Sequence, residues 1–174
     1  MCGFAGFVGE VENREQVLEN MIDTIGPDSS GKFVDEDAAL GFRRLSIIDL
    51  SESGDQPLYN EDRSKVLVFN GEIYNYQELR EELIQAGHTF VSNTDSETLI
   101  HGYEQWGEEL VYRLRGMYAF AIWDQKAKRL FSARDIFGIK PLYYAQMNGT
   151  LMFGSEIKSF LEHPKFDKVF NEDA

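Results

Sequence analysis

The sequence predicts a single domain of the α+β class whose sheet is mainly antiparallel. The predicted elements are clustered in the order strand, helix, strands, helices, strands, and do not alternate one by one. After Gly116 the apolar pattern changes to short runs separated by turn residues, and Asn148-Gly149 is a strong hairpin signal. A length of 174 residues is enough for one domain with a substantial core.

The first half of the chain begins with a strand and a helix. Residues 2–9 form a short apolar run broken by glycines, which is typical of a buried strand that other groups approach closely. Apolar residues at helical spacing predict a helix over 13–25, and Gly26-Pro27-Asp28 ends it. Residues 38–50 are strand-like and carry two arginines, and 51–57 form a polar loop.

The second half contains a further strand, two longer helices and a strand-rich region. The continuous apolar run over 66–69 predicts a buried strand. Asn75 caps a helix that Gly87 ends, and Thr94-Asp95-Ser96-Glu97 has the pattern of a capping box opening a helix that runs through Trp106. The remaining predictions are a short helix, four strands and a last helical turn, over 107–114, 117–123, 129–133, 142–146, 150–154 and 157–161.

Composition excludes several classes of function. A formal net charge of −13 argues against binding to nucleic acids or anionic membrane surfaces. No apolar run approaches the roughly 20 residues of a membrane span, and the first residues lack the pattern of a signal peptide. The single cysteine excludes an internal disulfide framework and fits a reducing compartment. We therefore expect a cytoplasmic protein.

The spacing of histidine and cysteine gives no metal-binding motif. His88, His101 and His163 are separated along the chain without an HxxxH or HExxH pattern, and a second cysteine for a CxxC pair is lacking. On these grounds the sequence predicts no metal site. The common nucleotide-binding and serine-hydrolase motifs are also absent.

Cys2 is a candidate nucleophile because of its position. Removal of Met1 would place a thiol and a free α-amine on one residue, and the amine could act as the base that activates the thiol. The α-amine titrates near pH 7.7–8.0, which is close to the pH at which a general base is useful. The alternative is that Cys2 is an inert, small apolar residue.

Two further groups could carry chemistry. An arginine of the Arg43-Arg44 pair is either a solvated residue or a carboxylate clamp, and strand alternation allows at most one of them to face a shared site. Asn70-Gly71 offers a side-chain amide and a backbone N–H that suit an oxyanion hole, or it forms a turn. Asp95 can be explained without a role in binding, because an acidic residue in the first turn of a helix interacts favourably with the helix dipole.

These features together describe a site for one kind of substrate. A nucleophile, oxyanion donors, an arginine for a carboxylate and acids for an ammonium suit an amino acid with a reactive side-chain carbonyl. Glutamine and asparagine are the two candidates.

At these residues the sequence resembles the glutaminase domain of glutamine-hydrolysing asparagine synthetases. This domain is a class II glutamine amidotransferase within the N-terminal nucleophile hydrolases. The resembling segments cover nearly the whole chain: 1–6, 26–31, 43–49, 56–60, 69–75, 95–97, 116–121, 134–135, 138–144 and 155–158.

The resemblance implies a fold and a set of roles. The fold is a four-layer αββα sandwich with two mainly antiparallel sheets between helical layers. The catalytic residues are Cys2 as nucleophile, with Asn70 and the Gly71 N–H as oxyanion donors. The substrate-binding residues are Arg44 for the α-carboxylate, Glu72 and Asp95 for the α-ammonium, and Ile48.

The resemblance also sets expectations for domains and partners. Residues 2–162 form the glutaminase domain, and 163–174 begin a linker toward a C-terminal synthetase domain. The pyrophosphate-binding Ser-Gly-Gly-x-Asp-Ser loop is absent, so ATP and Mg²⁺ are expected only in that other domain, and glutamine is the partner of this one. A homodimer is an open alternative.

Two alternatives to an active glutaminase of this kind stay open. The family pattern has about three more residues between Ile25 and Gly26. A real deletion there, or retention of Met1, would favour a non-catalytic module that binds glutamine or packs against a partner. The ammonia could also serve a different amide acceptor.

Overall fold

The computed structural model describes residues 3–25, 30–43 and 56–169. The strands are β1 Gly3–Val8, β2 Ser30–Val34, β3 Ala38–Arg43, β4 Leu58–Tyr59, β5 Lys65–Ile73, β6 Gly116–Asp124, β7 Arg129–Arg134, β8 Tyr143–Met147 and β9 Thr150–Gly154. The α-helices are α1 Arg14–Asp23, α2 Tyr76–Gln85 and α3 Asp95–Trp106. Two 3₁₀ helices cover Gly107–Tyr112 and Ile157–Glu162.

The strands form two antiparallel sheets. Sheet I has the order β2-β3-β1-β9-β8, and sheet II has the order β4-β5-β6-β7. Phe4 of sheet I and Val68 and Trp123 of sheet II belong to one buried cluster, which lies between the two sheets. The helix α1 packs on the other face of sheet I, and α3 packs on the other face of sheet II. The predicted four-layer αββα sandwich is confirmed.

Glycines in β1 allow this strand to be enclosed on both faces. A Cβ on Gly6 would lie 2.5 Å from the carbonyl oxygen of Ala39, and it would also meet the ring of Phe153. A contact of that length is shorter than van der Waals separation, so only glycine fits. The sequence prediction of a buried strand approached closely by other groups is confirmed.

The ends of α2 are as predicted, although the cap at its start differs. At its C-terminus, His88 N–H donates to Leu83 O and Gly87 N–H donates to Ile84 O, both at 3.0 Å, with Gly87 at a φ of +102°. This is a Schellman motif, which explains why glycine ends the helix. At its N-terminus Asn75 makes no side-chain cap. Its side chain instead bonds the backbone of Arg113 and Arg115.

The predicted capping box of α3 is wrong in its bonding, although the helix begins where expected. Thr94 makes no side-chain cap. The Glu97 carboxylate accepts the backbone N–H groups of Val91 and Ser92 at 2.7 and 2.8 Å. Glu97 therefore fastens the preceding loop to α3.

Some elements differ from the sequence prediction. The predicted strand over 38–50 is described only as far as Arg43, because 44–55 lie outside the described residues. The predicted helix end at Gly26-Pro27-Asp28 also lies outside them. The strands β2 and β4 carry no alternation strong enough to predict them. The two short helices are 3₁₀ helices. The Asn148-Gly149 hairpin is confirmed, with both residues at positive φ (51° and 75°).

The chain beyond residue 162 first continues along the helix-covered face of sheet I. His163 is 1% exposed, and its ring lies 4.9 Å from that of Phe7. Burial lowers the pKa of His163 to about 4. Phe166 packs against the same cluster as α1. No helix of the described ranges is long and apolar enough to cross a bilayer.

Candidate active site

The strand β5 directs Asn70 into the layer between the two sheets. Val66 and Val68 face this layer, while Leu67 and Phe69 face the helices, so alternation places Asn70 with the valines. Asn70 is not in a turn: it lies inside the strand, opposite Ala119.

The side-chain amide of Asn70 is a buried hydrogen-bond donor without an acceptor among the described residues. The residue is 5% exposed, and its Nδ2 has no hydrogen-bond partner within the described part of the chain. A buried donor left in that state costs about 1–3 kcal/mol of folding free energy. Such a group is a candidate for binding a ligand.

The Gly71 N–H lies on the edge of β5 that faces away from β6, at a point where no other strand of the described residues pairs with it. On this edge, away from β6, the Phe69 N–H donates to Gln56 Oε1 at 2.6 Å, and the Ile73 N–H donates to Asp95 Oδ2 at 2.9 Å. Because alternate residues of a strand direct their N–H groups to the same edge, the Gly71 N–H points there too, between Gln56 and Asp95.

Residue 71 must be glycine because β6 approaches it closely. A Cβ there would collide with the carbonyl oxygen of Met117 and would lie 2.7 Å from the Cα of Tyr118. The side chain of Asn70 and the backbone N–H of Gly71 are thus consecutive donors at one corner of sheet II.

Two carboxylates complete this corner. Glu72 is exposed, and alternation puts it on the same face of β5 as Asn70. Asp95 reaches the strand from the first turn of α3 through its bond to Ile73. Burial raises the pKa of Asp95, and the nearby charge of Glu72 raises it further, although the bond from the Ile73 N–H opposes both. A pair of acids in this position suits an ammonium group.

The start of β1 is fixed in the same inter-sheet region. The Phe4 N–H donates to Ser155 Oγ at 3.1 Å, and the Ser155 N–H donates to Phe4 O at 2.8 Å. Phe4 shares a buried cluster with Val68, which is two residues before Asn70. The first described residue of β1, Gly3, directly follows Cys2 in the sequence.

The described residues thus bring four of the seven predicted site residues together, namely Asn70, Gly71, Glu72 and Asp95. The other three, Cys2, Arg44 and Ile48, lie outside the described residues.

Arg43, the alternative to Arg44, faces α1 and forms an ion pair with Asp23. It therefore does not share the face of Asn70.

Sequence reasoning missed two residues that position the site. The Gln56 side chain pairs with both backbone groups of Phe69, since its Nε2 also donates to Phe69 O at 2.9 Å. Ser155 fastens the start of β1. Both belong to segments of the family resemblance, but a glutamine in a polar loop and a serine after a strand carry no local signal for these contacts.

Two antiparallel sheets between helical layers define the αββα sandwich class of this domain. Phe4 of β1 and the valines of β5 share the buried cluster between the two sheets. A solved structure shares the fold: the glutamine phosphoribosylpyrophosphate amidotransferase from B. subtilis matches with a TM-score of 0.76 at 22% identity, over 91% of this chain and 43% of that one.

Sequence comparisons specify the family. The model of the glutamine amidotransferase domain matches residues 1–174, and the chain belongs to this enzyme family. It is 48% identical over 169 residues to asparagine synthetase [glutamine-hydrolyzing] 1 of Bacillus subtilis, covering 92% of this chain and 27% of the relative. It is 43% identical over 166 residues to the asparagine synthetase [glutamine-hydrolyzing] of Zea mays, covering 91% and 28%. The chain spans about a quarter of the length of these relatives.

Proposed function

We propose that this domain hydrolyses the side-chain amide of glutamine to glutamate and ammonia, with Cys2 as the nucleophile. The observation that carries the proposal is the buried Asn70 amide, without an acceptor in the described ranges, next to the Gly71 N–H on a free strand edge. Donors fixed in this way stabilise the oxyanion of acyl transfer, and each typically contributes about 10²–10³ in rate.

The proposed chemistry begins once Met1 is removed. The α-amine of Cys2 takes the thiol proton, and Sγ attacks the side-chain carbonyl carbon of glutamine. The tetrahedral oxyanion accepts hydrogen bonds from Asn70 Nδ2 and the Gly71 N–H. As the C–N bond breaks, the amine returns its proton to the departing ammonia and a thioester remains. Water then cleaves the C–S bond, which gives glutamate and restores the thiol.

The remaining residues recognise the amino-acid end of the substrate. Arg44 binds the α-carboxylate, because a guanidinium pairs with a carboxylate through two parallel hydrogen bonds. The carboxylates of Glu72 and Asp95 bind the α-ammonium, and Ile48 contacts the substrate. The hydrolysis uses no cofactor of its own.

We further propose that the ammonia serves an ATP- and Mg²⁺-dependent asparagine synthetase domain in the cytoplasm. The names of the relatives and the quarter of their length that this chain spans support that assignment. Full-length protein supplied with glutamine, aspartate and ATP should form asparagine. Glutamate release without asparagine would indicate a different acceptor.

The test of hydrolysis compares the wild-type domain with Cys2→Ala. Intact mass first establishes that Met1 is absent. The wild type should release glutamate from glutamine and should lose this activity when a glutamine-like electrophile alkylates Cys2. Hydrolysis that survives Cys2→Ala would refute the mechanism. Glutamine binding without turnover in a sample that retains Met1 would indicate a binding module.

A further inference from the structure

A second polar cluster lies further along α3, away from the corner of β5. It consists of two imidazoles and two carboxylates, each offering one ligand atom, and these four atoms all lie within 4.8 Å of one another. We name it the histidine–glutamate cluster; its members are Glu61, His88, His101 and Glu104. We propose that this cluster binds one divalent transition-metal ion, with Zn²⁺ as the best match to its donor set.

Three separate elements bring the ligands together. His101 and Glu104 are three residues apart on α3, so they share one face of the helix. The Schellman motif that ends α2 places His88 directly after Gly87. Glu61 lies in the turn between β4 and β5, where the Arg63 N–H donates to Asn60 O at 3.0 Å.

The distances are near those of a tetrahedral site. Nδ1 of His101 lies 3.2 Å from Glu104 Oε2 and 3.7 Å from Glu61 Oε1, and Nδ1 of His88 lies 3.8 Å from Glu104 Oε2. Ligands at about 2.0–2.1 Å from Zn²⁺ are separated by roughly 3.3 Å. Closing the cluster onto an ion therefore requires side-chain movements on the order of 1 Å.

In three of the proposed ligand residues, the second ring nitrogen or the second carboxylate oxygen already lies close to another polar group. Nε2 of His101 faces Glu97 Oε1 at 3.6 Å, and Nε2 of His88 lies 3.2 Å from Gln105 Oε1. Asn60 Nδ2 donates to Glu104 Oε1 at 2.7 Å. A metal-binding histidine usually donates its second ring N–H to a carboxylate or carbonyl, which orients the first nitrogen toward the ion. Two of the four members, His88 and Glu104, have such a hydrogen bond, and a carboxylate oxygen lies within 3.6 Å of the second ring nitrogen of His101.

Charge and access also favour a cation. Glu61, Glu97 and Glu104 surround the imidazole of His101, whose side chain is 3% exposed, so a divalent ion would offset much of their negative charge. A cleft of about 370 Å³ reaches Glu61, Glu97 and His101 from solvent and provides a path of entry. Mixed imidazole and carboxylate ligands suit Zn²⁺ better than Mg²⁺ or Ca²⁺.

The competing arrangement is an ion-pair network without metal. Burial alone would lower the pKa of His101, but Glu104, Glu61 and Glu97 outweigh burial and raise it. In that state an imidazolium would occupy the centre of the carboxylates. The two arrangements differ in whether a metal binds with defined stoichiometry.

The experiment is a calorimetric titration of Zn²⁺ into chelator-treated domain carrying Cys2→Ala, so that the thiol contributes nothing. We expect one Zn²⁺ per chain, a higher Tm on binding, and intense visible absorption of tetrahedral Co²⁺ when Co²⁺ replaces Zn²⁺. Glu61→Gln and His88→Gln should each weaken binding at least about tenfold, and Gln105→Ala should weaken it roughly 10–100-fold.

The matched control is Glu81→Gln, which changes an exposed carboxylate on α2 outside the cluster. It should bind Zn²⁺ like the parent. Absence of saturable binding, or equal affinities in Glu61→Gln, His88→Gln and Glu81→Gln, would overturn the proposal and leave the ion-pair network. Because Cys2→Ala lacks the proposed nucleophile, the outcome is independent of glutamine hydrolysis.

Discussion

The two polar sites of this domain both draw residues from α3 but are built in different ways. The first turn of α3 supplies Asp95 to the corner of sheet II formed by Asn70, Gly71 and Glu72, while His101 and Glu104, about 9–14 Å further along the axis, belong to the histidine–glutamate cluster. Three of the four described residues of the corner are consecutive on β5. The cluster draws on three segments: Glu61 and His88 are 27 residues apart in the sequence, and His88 and His101 are 13 apart.

This difference explains what each site requires of the fold. A corner made by consecutive residues needs one strand in the correct register, because alternation alone directs Asn70 to the face and the Gly71 N–H to the edge. The cluster needs the correct packing of α2, α3 and the β4–β5 turn. We therefore expect changes at the corner to act on catalysis, and changes at the cluster to act on metal affinity and stability.

The largest expected effect separates function from folding at the corner. Asn70→Ala should lower kcat for glutamine hydrolysis by about 10²–10³-fold, as the loss of an oxyanion donor does elsewhere. Its Tm should be unchanged or higher, because a buried donor without a described partner is removed. Asn93→Ala, on the exposed loop before α3, is the control and should match the wild type. A full-rate Asn70→Ala enzyme would contradict the role of the corner.

A second change should raise KM and stabilise the fold. Asp95→Asn removes one proposed partner of the substrate ammonium, and a hydrogen bond to a charged group contributes about 1.5–3 kcal/mol, so KM should rise roughly 10–100-fold. Because the pKa of Asp95 is raised in the folded state, the fold binds its proton more tightly, and stability decreases as pH rises through that pKa.

Asp95→Asn removes the free-energy cost of ionising a buried carboxyl group and keeps an oxygen that can accept the Ile73 N–H. Near neutral pH the variant should therefore have a slightly higher Tm than the wild type, and the difference should vanish in acid. Steady-state kinetics and thermal unfolding at several pH values would measure both effects. A variant with unchanged KM would exclude Asp95 from substrate binding.

The smallest effects compare the glycine that each site depends on. Gly71→Ala forces a methyl group against β6 and should cost about 1–3 kcal/mol. Gly87→Ala has open space around it but a φ of +102°, and should cost about 1–2 kcal/mol. Urea unfolding measures both. Gly87→Ala should also weaken Zn²⁺ binding and leave glutamine hydrolysis intact. Gly71→Ala should lower the rate of glutamine hydrolysis and leave Zn²⁺ binding intact.

Sequence patterns predict the elements whose signals are local. Gly87 ends α2 because its Schellman motif needs a left-handed residue, and Asn148-Gly149 turns the β8–β9 hairpin for a similar reason. The strand over 66–69 is apolar on both faces because helices cover one face and sheet I covers the other. In each case the sequence signal itself is contained in a few consecutive residues.

Features set by distant partners could not be predicted in this way. Asn75 begins α2 as expected, but its side chain bonds the backbone beyond α3 instead of capping the helix. Glu97 fits a capping box in sequence, yet two N–H groups of the preceding loop compete successfully for its carboxylate. Spacing likewise gave no sign that His88 and His101 meet, with ring centres 5.2 Å apart.

The free edge of β5 has a consequence for solubility. After Leu67, which pairs with Leu58 of β4, the edge of β5 away from β6 has no neighbouring strand among the described residues. Such an edge can recruit a strand from another molecule. Gln56 occupies the backbone groups of Phe69 and Asp95 occupies the N–H of Ile73, so an incoming strand would find its hydrogen-bonding positions interrupted on both sides of Gly71. The stretch between these two positions is therefore too short a template for intermolecular sheet growth.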